Sequence, residues 1–394
     1  MAVCQGCSSV STASDEALEC DISSLLTMLG MVPDPRSARG RIYGLSFLLA
    51  ASLVAVLAGA SNFRQMHGQV ADMPQSLLRK LGGTWCFFRR LFGSPSERTI
   101  RRVLESIDAA VLDRIVGAWL YANARRQAGG GLALAIDGKV MRGAWTDANG
   151  QFTLFSAMIH AAGVTVGQVQ VPADTNEISQ VKALLDTVSV PDGQSVVITA
   201  DAAHTQRETA EYLTGERGFD YVLTVKSNQP TLLESVFQRC LPRLQHAPDH
   251  LVEERGHGRV SQWQTWVTDA VDIDFPRVKQ VACIRRNIHT TGGVWMSKEH
   301  AWIITSGDPT AITAADVHTH VRRHWGIENK THYTRDVTWR EDAQQIYTGS
   351  GPQVTATLRN VAMGLIRMKG IDKIKETTEW IARDRTRALT LLAT

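Results

Sequence analysis

The feature that most constrains this chain is an uncharged apolar run of nineteen residues at 42–60, IYGLSFLLAASLVAVLAGA. About 20 such residues suffice to cross a bilayer, so the run admits two readings. Gly44, Ser46, Ser52, Gly59 and several alanines leave it only moderately hydrophobic, and no other segment approaches its length. It reads as a central helix buried on every side rather than a membrane span. The chain is therefore expected to work in the cytoplasm with no membrane partner.

Residues 1–31 are Ser-rich and read as a flexible tail. Cys4 and Cys7 form a C-x-x-C, with Cys20 further on. A structural zinc site takes four ligands, and no second pair or finger-spaced histidine follows, so these cysteines read as reduced thiols. Six cysteines in 394 residues are too few for a disulfide framework, and no cleavable secretory signal precedes them.

Residues 32–126 read as a helical N-terminal domain. The net charge of +3 hides a local excess, since residues 79–126 carry ten Lys/Arg against four Asp/Glu. A helix start is expected at Ser94-Pro95-Ser96-Glu97, with Ser94 as N-cap and Pro95 in the first turn. Arg98, Arg101 and Arg102 lie on its early turns. A short helix over 73–81, the Gly82-Gly83 turn and this basic helix resemble a helix-turn-helix DNA reader. The alternative is a solvated basic face on an ordinary bundle.

Beyond a Gly-rich break at 127–131 the periodicity changes. Strands are expected at 132–137, 152–162 and 164–171, a helix at 176–188, a buried strand at 195–200, a helix at 205–214 and a strand at 221–225. This β-β-β-α-β-α-β order gives an α/β fold class and looks like an RNase H-like mixed-sheet core preceded by an all-α domain. Its first part is 130–230, followed by a mainly β insertion at 231–300. Its second part, 301–345, carries a helical stretch over 314–334. Residues 346–394 form a C-terminal helical segment.

Three acids stand out by position. Asp137 ends the first core strand, Asp201 ends the buried strand, and Glu328 lies on the helix after the insertion. Carboxylates at the ends of neighbouring strands point into one crevice, and a third from a facing helix would complete a hard-oxygen cage for Mg²⁺. Two such ions about 3.5–4 Å apart can activate an attacking oxygen and stabilise a leaving one. A lone strand-end aspartate is more often a turn or helix cap. Three acids in this order on these elements point to phosphodiester chemistry.

Further motifs carry a resemblance. Ile136-Asp137-Gly138-Lys139 with Arg142-Gly143, Asn176-Glu177-Ile178, Thr199-Ala200-Asp201-Ala202 with Gln206, and Asp220-Tyr221-Val222-Leu223 fall in one order. Arg322-x-His324-Trp325-x-Ile327-Glu328-Asn329, Asp336-Val337 and Glu341-Asp342 follow. Together they resemble the DDE insertion-sequence transposases whose group includes the H-repeat-associated proteins, over about residues 30–370. The chain departs from that pattern at Asp174-Thr175, Ser261, Trp263, Val321 and His324.

The resemblance implies a metal-dependent recombinase in which Asp137, Asp201 and Glu328 are the DDE triad and hold two Mg²⁺ ions, with Mn²⁺ able to substitute. It implies hydrolysis at element ends and transfer of the freed 3′-hydroxyl to target DNA. The expected partners are terminal inverted repeats, target DNA and a second copy in a homodimeric DNA complex associated with the nucleoid. Around the triad, Lys226, Asn228 and Gln229 are expected to contact DNA. Arg322, Arg323 and His324 would bring positive charge to the same surface. Trp325 either stacks on a base or sits in the core. His332 and Arg335, four and seven residues beyond Glu328, are expected to face the cleft. The alternatives are a catalytically silent end-binding repressor and an RNase H-like nuclease; a glycosidase carboxylate pair is a remote further one.

Overall fold

A computed structural model describes residues 20–39, 41–125, 131–145, 150–256 and 258–393. Cys4, Cys7 and most of the Gly-rich break lie outside the described residues, and Cys20 is half-buried. The apolar run forms the heart of the first helical group: α1 (Ser23–Gly30), α2 (Leu45–Leu57), α3 (Phe63–Ala71), α4 (Gln75–Lys80), α5 (Glu97–Ser106) and α6 (Ala109–Arg125). In α2 every residue but Ser46 is buried. With no charge anywhere around its circumference, no face of α2 gains by meeting water.

Two local expectations are corrected. The cap of α5 is Ser96, whose side chain accepts from Thr99 N at 3.3 Å, so the helix starts after Ser94-Pro95. Tyr43 and His67 instead hold the Ser94 and Pro95 carbonyl groups. The connection from α4 to α5 is also no helix-turn-helix corner, which takes a turn of about 3–4 residues. It contains a two-stranded hairpin, β1 (Trp85–Cys86) against β2 (Leu91–Phe92).

The remaining strands form one nine-stranded sheet in the order β5-β4-β3-β6-β7-β11-β10-β9-β8. They are β3 (Leu132–Trp145), β4 (Gln151–Ile159), β5 (Val164–Val171), β6 (Val196–Ala200), β7 (Asp220–Val225), β8 (His250–Gly256), β9 (Arg259–Asp269), β10 (Gln280–Thr290) and β11 (Trp295–Thr305). β3, β4 and β5 run antiparallel in sequence, whereas β6 lies parallel to β3 and β7 parallel to β6. Between them lie two short helices, α7 (Val181–Asp186) and α8 (Arg207–Glu211). The segment read as mainly β opens with α9 (Pro230–Cys240). Its strands extend the core sheet, because β11 pairs with β7 from Trp302↔Val225 to Thr305↔Val222.

The chain closes with α10 (Ala314–His324), α11 (Tyr333–Trp339), α12 (Gly351–Met368), α13 (Ile374–Arg383) and α14 (Leu389–Leu392). α12 is almost wholly buried and packs on α2, α6 and β5. Trp339 Nε1 donates to the Val56 carbonyl of α2 at 2.9 Å. One continuous apolar core therefore runs from Ile22 to Leu392. The N-terminal helices share that core with the sheet and the C-terminal helices.

Candidate active site

The parallel ladder between β3 and β6 ends at the pair Ile136↔Ala200. Asp137 and Asp201 are the next residues along the two chain segments, so the register itself sets the two aspartates side by side. Contrary to the sequence expectation, Asp137 does not end its strand. β3 continues to Trp145 because β4 still supplies a partner, pairing Ser156 with Asp137 and Phe152 with Met141. After Ala200 the chain leaves the sheet, and Asp201 caps the turn Ala202–His204 by accepting from Ala203 N at 3.0 Å and His204 N at 3.4 Å. Both bonds fall on Oδ1, and among the described residues Oδ2 takes no part in the cap.

That turn is braced from the turn that follows β7. Asn228 Nδ2 donates to the Ala202 carbonyl at 2.7 Å. Gln229 Nε2 donates to the Thr205 carbonyl at 3.0 Å and to Gln206 Oε1 at 3.2 Å. The two amides expected to contact DNA thus spend donors on holding the Asp201 loop. Lys226 is exposed and lines a cleft of about 480 Å³ together with Asp201, Glu328, His324 and Trp325.

Glu328 is exposed and stands in a wide π-helical turn, Ile327–His332, between α10 and α11. Such turns recur at functional sites, and this one shifts the helical register. His332 consequently faces Asp137, with Nδ1 3.4 Å from Oδ2. Arg335 rotates into the core, fully buried and 2.7 Å from Glu341, rather than into the cleft. Burial lowers the His332 imidazole to about 3. Burial, then the charges of Asp201, Glu328 and Glu177, push Asp137 up to about 7. At neutral pH the imidazole that faces the Asp137 carboxyl is therefore uncharged, and the contact is not an ion pair.

The basic residues before Glu328 separate into three cases. Arg323 is exposed. Arg322 pairs with Glu254 at 2.9 Å and stacks over the Trp263 ring at 4.3 Å, so its charge is already answered. His324 is buried, its Nδ1 3.0 Å from Thr199 Oγ1, and burial lowers it to about 4. It brings no positive charge at neutral pH, contrary to expectation. Trp325 is half-buried against Trp263, ring centroids 5.8 Å apart, and also lines the cleft. On α5, Arg98 and Arg102 are exposed, whereas Arg101 pairs with Glu97 and Glu105.

Two residues have roles that motif order alone did not assign. Glu177 lays its carboxylate over Gly138, where a Cβ would stand 1.8 Å from Oε1. Glycine at 138 thus admits a fourth acid beside Asp137. Lys139, buried, donates to Asp336 at 2.8 Å and Asp342 at 3.2 Å. At Gly143 a Cβ would come within 2.0 Å of the Gln344 carbonyl oxygen, so the far half of β3 lies directly on the segment that follows Glu328. The Gly-Lys and Arg-Gly pairs after Asp137 were the available signals, and both turn out to fasten β3 to that segment.

Comparison with known proteins places the chain in a family. Residues 128–365 match the family described as Transposase DDE domain, and residues 26–120 match the one described as DDE_Tnp_1-associated. The chain is 27% identical over 363 residues to "Putative transposase YncI" of Escherichia coli O157:H7, covering 88% of each. It is 25% identical over 391 residues to "H repeat-associated putative transposase YhhI" of Escherichia coli K12, covering 95% of this chain and 98% of that one. It is 30% identical over 287 residues to an uncharacterized protein in the dhlA 3′ region of Xanthobacter autotrophicus, covering 70% and 92%. The first match spans more than half of the chain, which makes this chain a member of the DDE-domain transposase family.

Proposed function

We propose that the chain is the transposase of an insertion sequence, binding the element's terminal inverted repeats, cutting DNA at its ends and joining the 3′-hydroxyl to target DNA. The observation that carries this is the placement of Asp137 and Asp201 one residue past the same register pair, with Glu328 lining the same cleft as Asp201. The antiparallel strands β5-β4-β3 continuing into parallel β6 and β7 support an RNase H-like reading of the core.

Asp137, Asp201 and Glu328 would hold the divalent cations, Mg²⁺ or Mn²⁺ in its place. The donor set fits in kind: all three are carboxylates, the ligand type hard cations take. Asp201 keeps one oxygen free of its capping bonds. Among the described residues no three acids, histidines or cysteines form a ready cage. Bound there, two ions would supply Lewis acidity to the attacking and leaving oxygens of an in-line displacement. The chain's own part is to orient. The Asp201 loop is held by Asn228 and Gln229, β3 is held by Lys139, and His332 keeps the Asp137 carboxyl from rotating freely. Lys226 and Arg323 supply cationic contacts for phosphates. Two ends must be held together for joining, so a homodimer is the expected DNA complex.

The test is cleavage of a plasmid carrying the element's inverted repeats, with Mg²⁺ or Mn²⁺. Asp137→Ala, Asp201→Ala and Glu328→Ala should each abolish cutting while end binding survives. If Asp201→Ala cuts as well as the unmutated chain, the triad is misassigned. If the unmutated chain binds ends and cuts with neither metal, a silent end-binding repressor is the better reading.

A further inference from the structure

The hairpin between α4 and α5 carries an aromatic and basic tip that the active site does not use. Its base is clamped. Gln75 Oε1 accepts from Phe92 N at 2.6 Å, Thr84 Oγ1 donates to the Ile42 carbonyl at 2.7 Å, and Gly93 N donates to the Thr84 carbonyl at 3.0 Å. Trp85 packs edge-on to Phe92 at 5.0 Å across the two strands. Beyond this base the four tip residues, Phe87, Phe88, Arg89 and Arg90, are all exposed. Phe87 is 83% and Phe88 97% accessible, the two rings standing edge to face at 6.3 Å. Arg90 holds a left-handed φ of 51°, a conformation an arginine seldom adopts.

Two phenyl rings presented to water on a braced support mark an interaction surface. Charge identifies the partner. Neither Arg89 nor Arg90 makes an ion pair among the described residues. From 79 to 102 the chain carries seven Lys/Arg and a single acid, Glu97. A second copy docking tip to tip would bring four arginines together, which disfavours that occupant.

We infer that the Phe87–Phe88 tip is a wedge that enters duplex DNA at the element end, its rings against or between bases in the minor groove and the Arg89 and Arg90 guanidiniums on the flanking phosphates. Apolar wedges between base steps and arginines in the minor groove are a general mode of DNA engagement. Ring stacking of this kind tolerates any base, so the tip would fix the position and bend of the duplex while other residues read sequence. This inference rests on the reading of DNA as the partner.

The experiment uses the full chain in EDTA, so that cutting plays no part. The probe is a duplex carrying the terminal inverted repeat, labelled for anisotropy and substituted with 2-aminopurine at successive positions. The expected result is a rise in 2-aminopurine fluorescence at one step, lost in Phe87→Ala/Phe88→Ala together with about ten-fold or more in affinity. Arg89→Ala/Arg90→Ala should lower the slope of log affinity against log salt by about two. Unchanged melting temperature in both double variants confirms that the base of the hairpin is intact. If the phenylalanine variant binds with unchanged affinity and unchanged fluorescence, the wedge is overturned while the DNA reading stands. If it instead turns dimer to monomer, or loses binding to phosphatidylglycerol vesicles with DNA binding intact, the tip serves another partner and the wedge is equally overturned. Failure of the unmutated chain to bind any duplex would sink the DNA reading itself.

Discussion

Lys139 Nζ lies 2.8 Å from Asp336 Oδ2, joining the strand of Asp137 to the helix that follows Glu328. Asp342 answers the same ammonium at 3.2 Å. The contact spans almost two hundred residues of chain and joins the two parts of the site that no strand pairing connects. A lysine this buried is tolerated only with paired charges, and Asp336 and Asp342 supply them.

Lys139→Met should therefore separate placement from binding. The methionine fills the same channel, but β3 loses its tie to α11. Cleavage is expected to fall about 10–100-fold, the scale of an error near 1 Å in placing reacting groups, with end affinity within about two-fold. The stability loss should be about 1–2 kcal/mol, less than for a fully buried pair because both acids keep contact with water. Equal loss of cutting and of end binding would show that Lys139 supports the fold as a whole rather than the site.

Gly138→Ala asks whether Glu177 belongs to the site. The new Cβ would stand on the Glu177 carboxylate, but that carboxylate is the end of a flexible side chain and can swing away. The melting temperature should hardly change. Cleavage should fall about ten-fold if Glu177 shapes the charge around Asp137, and to the same level as in Glu177→Ala. Full activity in Gly138→Ala would remove Glu177 from consideration.

Several of these relations were legible in the sequence and others were not, for physical reasons. Asp137 and Asp201 follow short apolar runs, and two such buried strands in a mixed α/β order lie parallel, so their ends meet. The all-round burial of α2 was equally readable from its lack of charge. Arg335 was misplaced because a seven-residue spacing marks one face only in an unbroken α-helix, and the π turn at Ile327–His332 carries no periodic signal. The pairing of Arg322 with Glu254 joins residues far apart in sequence, and side-chain type alone cannot reveal it. The hairpin at 85–92 was missed since strands of two residues have no measurable alternation.

Glu341→Gln should destabilise the chain far more than it affects any DNA contact. Glu341 lies fully buried between the guanidiniums of Arg335 and Arg359, each 2.7 Å away. Burial alone would raise its carboxyl, but the two guanidiniums prevail and hold it at about 2. Removing the charge leaves two buried cations unanswered, a loss of about 3–5 kcal/mol. Because the folded carboxyl is depressed, its contribution is present above the ordinary value near 4.5 and is lost as pH falls towards 2. Urea titrations of both proteins at neutral pH measure the difference, and a change below about 1 kcal/mol would mean that Arg335 and Arg359 do not close on Glu341 in solution.

Asp113→Asn should change how stability depends on pH in the opposite sense. Asp113 lies in α6, buried against β5 and α12, where Gln353 Nε2 donates to Oδ2 at 2.7 Å and Gln168 Nε2 lies 3.3 Å from both oxygens. The Thr357 hydroxyl also donates to Oδ1 and lies 2.9 Å from the Gln353 carbonyl. Burial pushes the carboxyl up to about 7, against the opposing hydrogen bonds from Thr357, Gln353 and Gln168. Its contribution is therefore fully present below the ordinary 3.8 and is lost as pH rises through about 7. Asparagine offers an amide donor to Thr357 and a carbonyl acceptor to Gln353 with no charge to desolvate. Relative to the variant, the unmutated chain should lose about 2 kcal/mol of stability between about pH 5 and 7. Urea midpoints of the two proteins across that range decide the matter: a constant difference would mean that Asp113 is ionised in the folded chain throughout.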